Sequence, residues 1–546
     1  FISGSRIDFV DGKSGTKLGK DAGLNTGTGT ENTYIGNQAG KGGSGNDAYN
    51  TGIGSFALHA ITDGNSNVAV GIDVGTALTT GDNNMLIGRQ AGNTMTGTSN
   101  TILIGYGAGT DINSTGADGT VAIGYQAGAN ITSGTGNTAI GFDAMKNLVT
   151  GAGNVAIGYE AGEGFENAET GNVAIGFEAM ALADEGTGGG STDHNIAIGY
   201  QALVMGDVAS NDRNRQGNIA IGGFALNSTD DNATTGQIAI GHNALTGLTT
   251  GYGNLAIGYQ ALQHITTGLR NIAIGYGAMN DTDAGSNSLD SDDNVFIGYD
   301  AGGGTWADAK SEFNVAIGNL SMDAALNGAL YNMAMGYGAL GALTEGDSNV
   351  AIGHGAGGAL TTGAANITIG RAAGDAMTTN TSVIAIGYYA ATDLNNTNGN
   401  YSVIIGHEAG ANMTSANVNH LMGYRSGYAI TTGGKNVASG YETLRYNQTG
   451  YGNVAIGHQA SQNATSSLNV AIGLEAGRGK TSAPYNSGEA NISIGAYTNY
   501  DVSTGKRNVS IGGNAGYEMD TGTDNTLLGN NAGYNVKHAV GATIIG

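Results

Sequence analysis

Apolar and polar positions recur along this chain with a fixed step. Asn254 to Arg270 reads N-L-A-I-G-Y-Q-A-L-Q-H-I-T-T-G-L-R, and Asn271 begins it again as N-I-A-I-G-Y-G-A-M, 17 residues on. Aligned on the Gly that closes N-x-A-I-G, the chain carries 29 marks from Gly36 to Gly546. A unit of that length is too short for a strand–helix–strand crossover, which takes a dozen or more residues between its strands. It holds two or three short strands and tight turns, which is one coil of a solenoid in which each unit packs on its neighbours. The expected fold is all-β: a parallel β-solenoid (β-helix or β-roll) of about 29 coils over residues 32–546. Residues 1–31, which lack the motif, form an N-terminal cap or junction.

Within a unit the strand N-V-A-I-G alternates, so Val155 and Ile157 point one way and Ala156 the other. The expectation is that the Val/Ile rows face the core and the Ala row faces out. A further apolar position falls eight residues after the Ile, as at Ile265, Leu360 and Met377, and a Thr-Thr-Gly turn follows it. Asn opens the strand in 23 of 29 units, which predicts a ladder of amides bonded from coil to coil at a spacing of ~4.8 Å. Ala stands three residues after the marker Gly in 23 of 28 units, which predicts close packing there. Tyr, Phe or His follows the Gly in 17 of 28 units, which makes a stripe of rings if the row faces outward. An outward face of Ala is unusual for a free surface; it suits a flat contact with another chain, and a homotrimeric fibre is expected.

Composition narrows the function classes. Acids outnumber bases 44 to 20, for a net charge of −24, where a nucleic-acid partner or an anionic membrane would require the reverse. No stretch of apolar residues approaches the ~18 needed to span a bilayer as a helix. The chain has no Cys, so the fold depends on neither disulfides nor thiolate metal sites. Gly makes up 100 of 546 residues, but with one Pro and no three-residue period the chain is not collagen-like. The repeat runs to Ile545-Gly546 without a polar cap, which leads to the expectation of further protein beyond it.

The repeated N-V-A-I-G with Ala three residues later resembles the head repeats of trimeric autotransporter adhesins. The wider unit, with Ala139-Ile140-Gly141, Ala144 and Leu360-Thr361-Thr362-Gly363, is similar to the N-T-A-I-G repeats of phage tail-fibre and tailspike-like proteins. The adhesin repeat is nearer 14 residues than 17, and the chain shows neither a heptad stalk nor a barrel anchor, so the second resemblance covers more of the unit. Both imply a trimeric fibre at a virion surface or outside a cell that contacts a cell-surface glycan or protein receptor. Neither brings a catalytic residue or a cofactor.

Candidate chemistry follows from the rows. Tyr106, Tyr159, Tyr259, Tyr276, Tyr299 and Tyr424 in the aromatic row are the candidate receptor contacts, since ring faces stack on sugars; the bland alternative is that they stack on one another or seal a contact between chains. Asp143, Glu160 and Glu178 stand two residues after the marker Gly in successive coils. Stacking sets neighbours about 5 Å apart, near the separation used by retaining glycosidases, although a freely varying position reads first as exposed surface. Asp290, Asp292 and Asp293, with Asp281 and Asp283 nearby, make an oxygen-rich loop that suits Ca²⁺ in donor type but matches the spacing of neither an EF-hand loop nor the G-G-x-G-x-D nonapeptide. Insertions at 184–194, 206–216, 280–293 and 479–490 emerge at one corner of the coil, where repeat proteins often place binding loops. The leading expectation is a non-enzymatic fibre of phage tail-fibre type that attaches to a host surface. A bacterial adhesin, a self-assembling extracellular filament, a polysaccharide-degrading spike and an ice-binding solenoid (from Thr79-Thr80, Thr249-Thr250 and Thr361-Thr362) remain open beside it.

Overall fold

In the computed structural model the chain forms two compact units, Phe1–Asn271 and Ile272–Gly546. The described residues are 15–182, 191–204, 214–228, 234–281, 290–395, 400–481 and 486–546. Each unit is a parallel β-solenoid with a repeat of about 17 residues and almost no helix. The strands are three residues long and pair in parallel with no register shift: Val155 with Val173, Ala156 with Ala174, Ile157 with Ile175. The ladder begins inside the N-terminal segment, where Thr16–Leu18 pairs with Thr33–Ile35.

Among the described residues most coils have one regular strand rather than two or three. The residues two and four after the marker Gly have φ near +50°, as at Gln201 (49°) and Leu203 (53°), and an extended strand cannot pass through that conformation. The turns stack regardless. Glu160 N donates to Phe142 O at 2.9 Å and Gly162 N to Ala179 O at 2.8 Å, so backbone groups outside the strand also find partners in adjacent coils. A second ladder of extended backbone occurs among Arg215–Gln216, Thr234–Thr235 and Gly251–Tyr252.

The strand faces opposite to the expected sense. Ala156 is fully buried, whereas Val155 and Ile157 are half-exposed, and the same pattern holds at Val173–Ile175, Ile196–Ile198 and Ile238–Ile240. The reason is the width of the coil. Its interior is a slot filled from one side by the strand Ala and from the others by Ala161, Leu203 or Leu262, and Ile265, Leu360 or Met377, all buried. Where a large side chain takes the strand centre, neighbours shrink to glycine. Tyr34 is buried there, and a Cβ on Gly40 would lie 2.3 Å from its ring and one on Gly52 3.0 Å from it. Phe296 is likewise matched by Gly302, where a Cβ would lie 2.5 Å away.

The Asn ladder forms as expected. Asn154 is buried, and its N–H donates to Asn137 Oδ1 at 2.9 Å. Its Nδ2 donates to Glu169 O at 2.7 Å, in the turn of the next coil, and its Oδ1 accepts from Asn172 N at 2.9 Å. One side chain therefore satisfies two backbone groups that no strand pairing reaches.

Candidate functional site

Because the strand turns its Ala inward, its Val and Ile form two outward rows on one face of the coil. Their exposure is intermediate in most coils, reaches 40% at Ile456 and Ile511, and is 75% at Ile545 in the last strand. The rows place partly exposed aliphatic side chains at the same point of successive coils. Polar residues interrupt this ribbon at Thr33, Thr51, Thr138, His420, Ser439, Thr526 and Thr543.

The aromatic row lies beside this ribbon, one residue beyond the marker Gly, and it is exposed. Tyr106, Tyr159, Tyr259, Tyr276 and Tyr299 keep between 41% and 51% of their surface. They are also stacked. Tyr106, Tyr125, Phe142, Tyr159, Phe177 and Tyr200 form one run with centroids 4.9–5.4 Å apart and planes within 11°. Tyr259 stacks on His242, Tyr276 on Tyr299, and Tyr424 on Tyr441. Arg89 covers the outer face of Tyr106 at 5.8 Å. Rings in such a run present edges and hydroxyls to solvent, because their faces are occupied by each other. Face-on sugar stacking, the chemistry that made these residues receptor candidates, is unavailable inside the run.

A second ladder replaces the first in the last coils, where the residue after the marker Gly is Leu474, Ala496, Gly513 or Asn530. Tyr500, Tyr517 and Tyr534, five residues after their marker Gly, stack at 4.9 and 4.8 Å with planes within 7°. Sequence reading missed this ladder, although three Tyr at a step of 17 were there to be seen.

The acidic row is less exposed than a freely varying position suggests: Asp143 is buried, and Glu160 and Glu178 are half-buried. These side chains find bonds within their own coil or to the next one. Gln201 Nε2 donates to Glu178 Oε2 at 2.6 Å, and Lys146 Nζ lies 3.0 Å from Asp143 Oδ2. The bond to Asp143 raises the Lys146 pKa, and burial, with help from the nearby Glu160 and Asp143, raises that of Glu163. The hydroxyl of Tyr159 is likewise made less acidic by its hydrogen bond to Glu160. These are the bonds of a stacked surface row.

Of the acidic loop, Asp283 lies outside the described residues. Asp290 Oδ2 is 3.7 Å from Lys310 Nζ, while Asp292 and Asp281 are held through their backbone carbonyls, by Phe313 N at 3.3 Å and Trp306 N at 2.9 Å. Asp293 takes φ +58° before the strand. Among the described residues no three His, Asp or Glu form a group that could hold a metal ion. The longer parts of the insertions near 184–216 and 280–293 also fall outside the described residues. The Thr pairs form a further ladder: Thr79 Oγ1 donates to Thr96 O at 2.9 Å and Thr361 Oγ1 to Thr378 O at 3.0 Å, which commits those protons to backbone. No helix among the described residues is long and apolar enough to cross a membrane.

No family model matches the chain, and no curated protein matches it.

Proposed function

We propose that the chain is a non-enzymatic shaft of phage tail-fibre type, which joins copies of itself, most economically three, and holds an attachment function at a host cell surface. The observation that carries this reading is the Val/Ile ribbon. A solenoid that folds with its Val and Ile rows half-exposed, and its Ala row inside, leaves apolar surface that water disfavours and that another copy of the same ribbon would cover. A repeat with no register shift presents that surface at the same place in successive coils, which suits contact along a length rather than at a point. The stacked turns, bonded from coil to coil, supply the stiffness that a shaft requires. The receptor is a cell-surface glycan or protein, the setting is a virion surface or the cell exterior, and no metal or cofactor is invoked.

The test is mass and shape. Light scattering behind size exclusion is expected to give a multiple of the 54.4 kDa chain, with elongated particles in negative stain. Val155→Lys with Val173→Lys, two half-exposed positions in adjacent coils, is expected to weaken that assembly while leaving the β-sheet circular dichroism unchanged. A wild-type particle of 54.4 kDa, or a globular one, overturns the proposal.

A further inference from the structure

We infer that the turns holding Tyr389, Ala411 and Tyr428 carry a binding site for a single neutral sugar residue, walled by Tyr389 and Tyr428. The inference deepens the attachment reading by naming a ligand class and a place. The site is a hollow of about 170 Å³ on the turn side of three successive coils. That is below the ~300–1,000 Å³ of pockets that enclose drug-sized ligands and suits one ring of a chain held from one side.

Two departures from the repeat create it. The position two after the marker Gly is usually Gln, Glu, Asp, Asn or Gly; in this coil it is Tyr389, a ring held at φ +53°. The position five after the Gly is long and polar in many coils, as at His59, Lys146, Glu163 and Gln263; in the middle coil of the hollow it is Ala411, and in the next it is Tyr428. A methyl group thus forms the floor; Ala129 and Ala181 are equally small at this position, and what sets this coil apart is the pair of rings, Tyr389 and Tyr428, on either side of it. Backbone bonds close the floor from coil to coil, with Asp393 N donating to Ala411 O at 3.0 Å and Asn412 N to Tyr428 O at 3.2 Å.

The rings are held in place rather than free to collapse into the hollow. Tyr389 packs edge-on against Tyr388 at 4.3 Å, and the Arg371 guanidinium stands 5.8 Å from its centroid. Arg425 stands 5.5 Å from the centroid of Tyr428, and its Nε donates to Glu408 Oε2 at 2.5 Å, which fixes the guanidinium. Arg371 lies over one face of Tyr389 and Arg425 over one face of Tyr428, and among the described residues no ring of a neighbouring coil stacks on the other face of either. Asp393 and Asn412 supply acceptors and a donor at the rim, and Glu408 a further carboxylate oxygen. An aromatic wall with hydroxyl-accepting groups at its edge is the chemistry of sugar recognition: ring C–H groups meet the electron-rich face, and hydroxyls meet the rim. Arg371 and Arg425 beside the rings offset the carboxylates of Asp393 and Glu408, so it is the net charge of −24 that disfavours an acidic sugar.

The test is titration of the full-length protein with methyl glycosides of glucose, galactose, mannose and N-acetylglucosamine, followed by saturation-transfer NMR, with sialyllactose as the acidic control. At least one neutral glycoside is expected to bind saturably, and sialyllactose is not. Tyr428→Ala and Ala411→Gln are each expected to weaken binding by about tenfold or more. Ala411→Gln installs a residue type that other coils carry at this position, so it tests the hollow without challenging the fold. Binding by none of the neutral glycosides, binding of sialyllactose as tight as theirs, or affinity unchanged in both variants overturns the site. Particle mass measured on the same samples reports separately on the shaft, so failure of the sugar site is distinguishable from failure of the assembly.

Discussion

Gly153 and Gly158 stand five residues apart on either side of one strand, both at positive φ, and they answer to different constraints. Gly153 has φ +67°, and a Cβ added there would meet nothing within 4 Å. Gly158 has φ +142°, and a Cβ there would lie 2.3 Å from Gly176 O in the adjacent coil. The chain performs the comparison on itself. The position of Gly153 is Asn83, Arg270, Phe313 and Tyr331 in other coils, each near φ +60°, whereas the position of Gly158 is Gly at all 29 marks. The turn that leads into the strand demands a backbone conformation, which several residue types reach at modest cost. The bend that leaves it demands conformation and space, because coils approach there backbone to backbone.

The largest expected effect follows directly. Gly158→Ala is expected to destabilise its neighbourhood by on the order of 3 kcal/mol, from a conformation essentially reserved for Gly together with a clash that only backbone movement relieves. Gly153→Asn is expected to cost well under ~1 kcal/mol, since Asn tolerates the left-handed region. Native-state hydrogen exchange across Val155–Ile175 measures both, and it suits a repeat protein whose coils open locally. Equal losses at the two positions would erase the distinction between the two bends.

A smaller effect is expected where the strand begins. Asn154→Ala leaves the N–H of Asn172 and the carbonyl of Glu169 without their side-chain partner in a buried setting, at ~1–3 kcal/mol for such groups. The chain contains a milder version: Thr101 replaces Asn and still donates its hydroxyl to Asn84 Oδ1 at 2.7 Å. Asn154→Thr is therefore expected to fall between wild type and Asn154→Ala in exchange protection of the strand. A Thr variant as weak as the Ala variant would show that the reach of the amide into the next turn dominates over the ladder itself.

The parts of this fold that were legible in the sequence are those that translation enforces. Identical residues at a step of 17 must stack, so the coil, the Asn ladder and the aromatic stripe followed from spacing alone. What alternation could not supply was the sense of the strand. Val155, Ala156 and Ile157 alternate equally well with either face inward, and average hydrophobicity favours burying the larger pair. The narrow slot decides otherwise, and the matching of Tyr34 by Gly40 and Gly52 is the trace it leaves in the sequence, readable only with the coil closed. The same holds for the hollow at Tyr389: its residues lie in three coils, and their meeting depends on left-handed turns that replace the strands expected there.

The smallest effect, and the one that links the two ends of the strand, concerns Asp47. This carboxyl is buried in the turn that Asn32 reaches: it accepts from Asn32 Nδ2 at 3.0 Å and from the Tyr34 hydroxyl at 2.7 Å, while its other oxygen has no partner. Burial raises its pKa above the ordinary 3.8, more than the bond from Tyr34 lowers it. A carboxyl with a raised folded value binds its proton more tightly in the folded state, so stability falls as pH rises from 3.8 through the folded value. The Tyr34 hydroxyl, made less acidic mainly by burial and then by the charge of Asp47, adds a second decline as pH rises past its ordinary 10.0. Asp47→Asn is expected to remove the first decline, to leave the second, and to protect Thr33–Ile35 from exchange at pH 7 slightly better than the wild type, a gain smaller than either loss above. Exchange at pH 4 and pH 7 decides it. If wild-type protection of Thr33–Ile35 is the same at both, or greater at pH 7, then the charge on Asp47 is accommodated by the fold, and the turn side of the coil is as tolerant of a buried carboxylate as Gly153 is of a side chain.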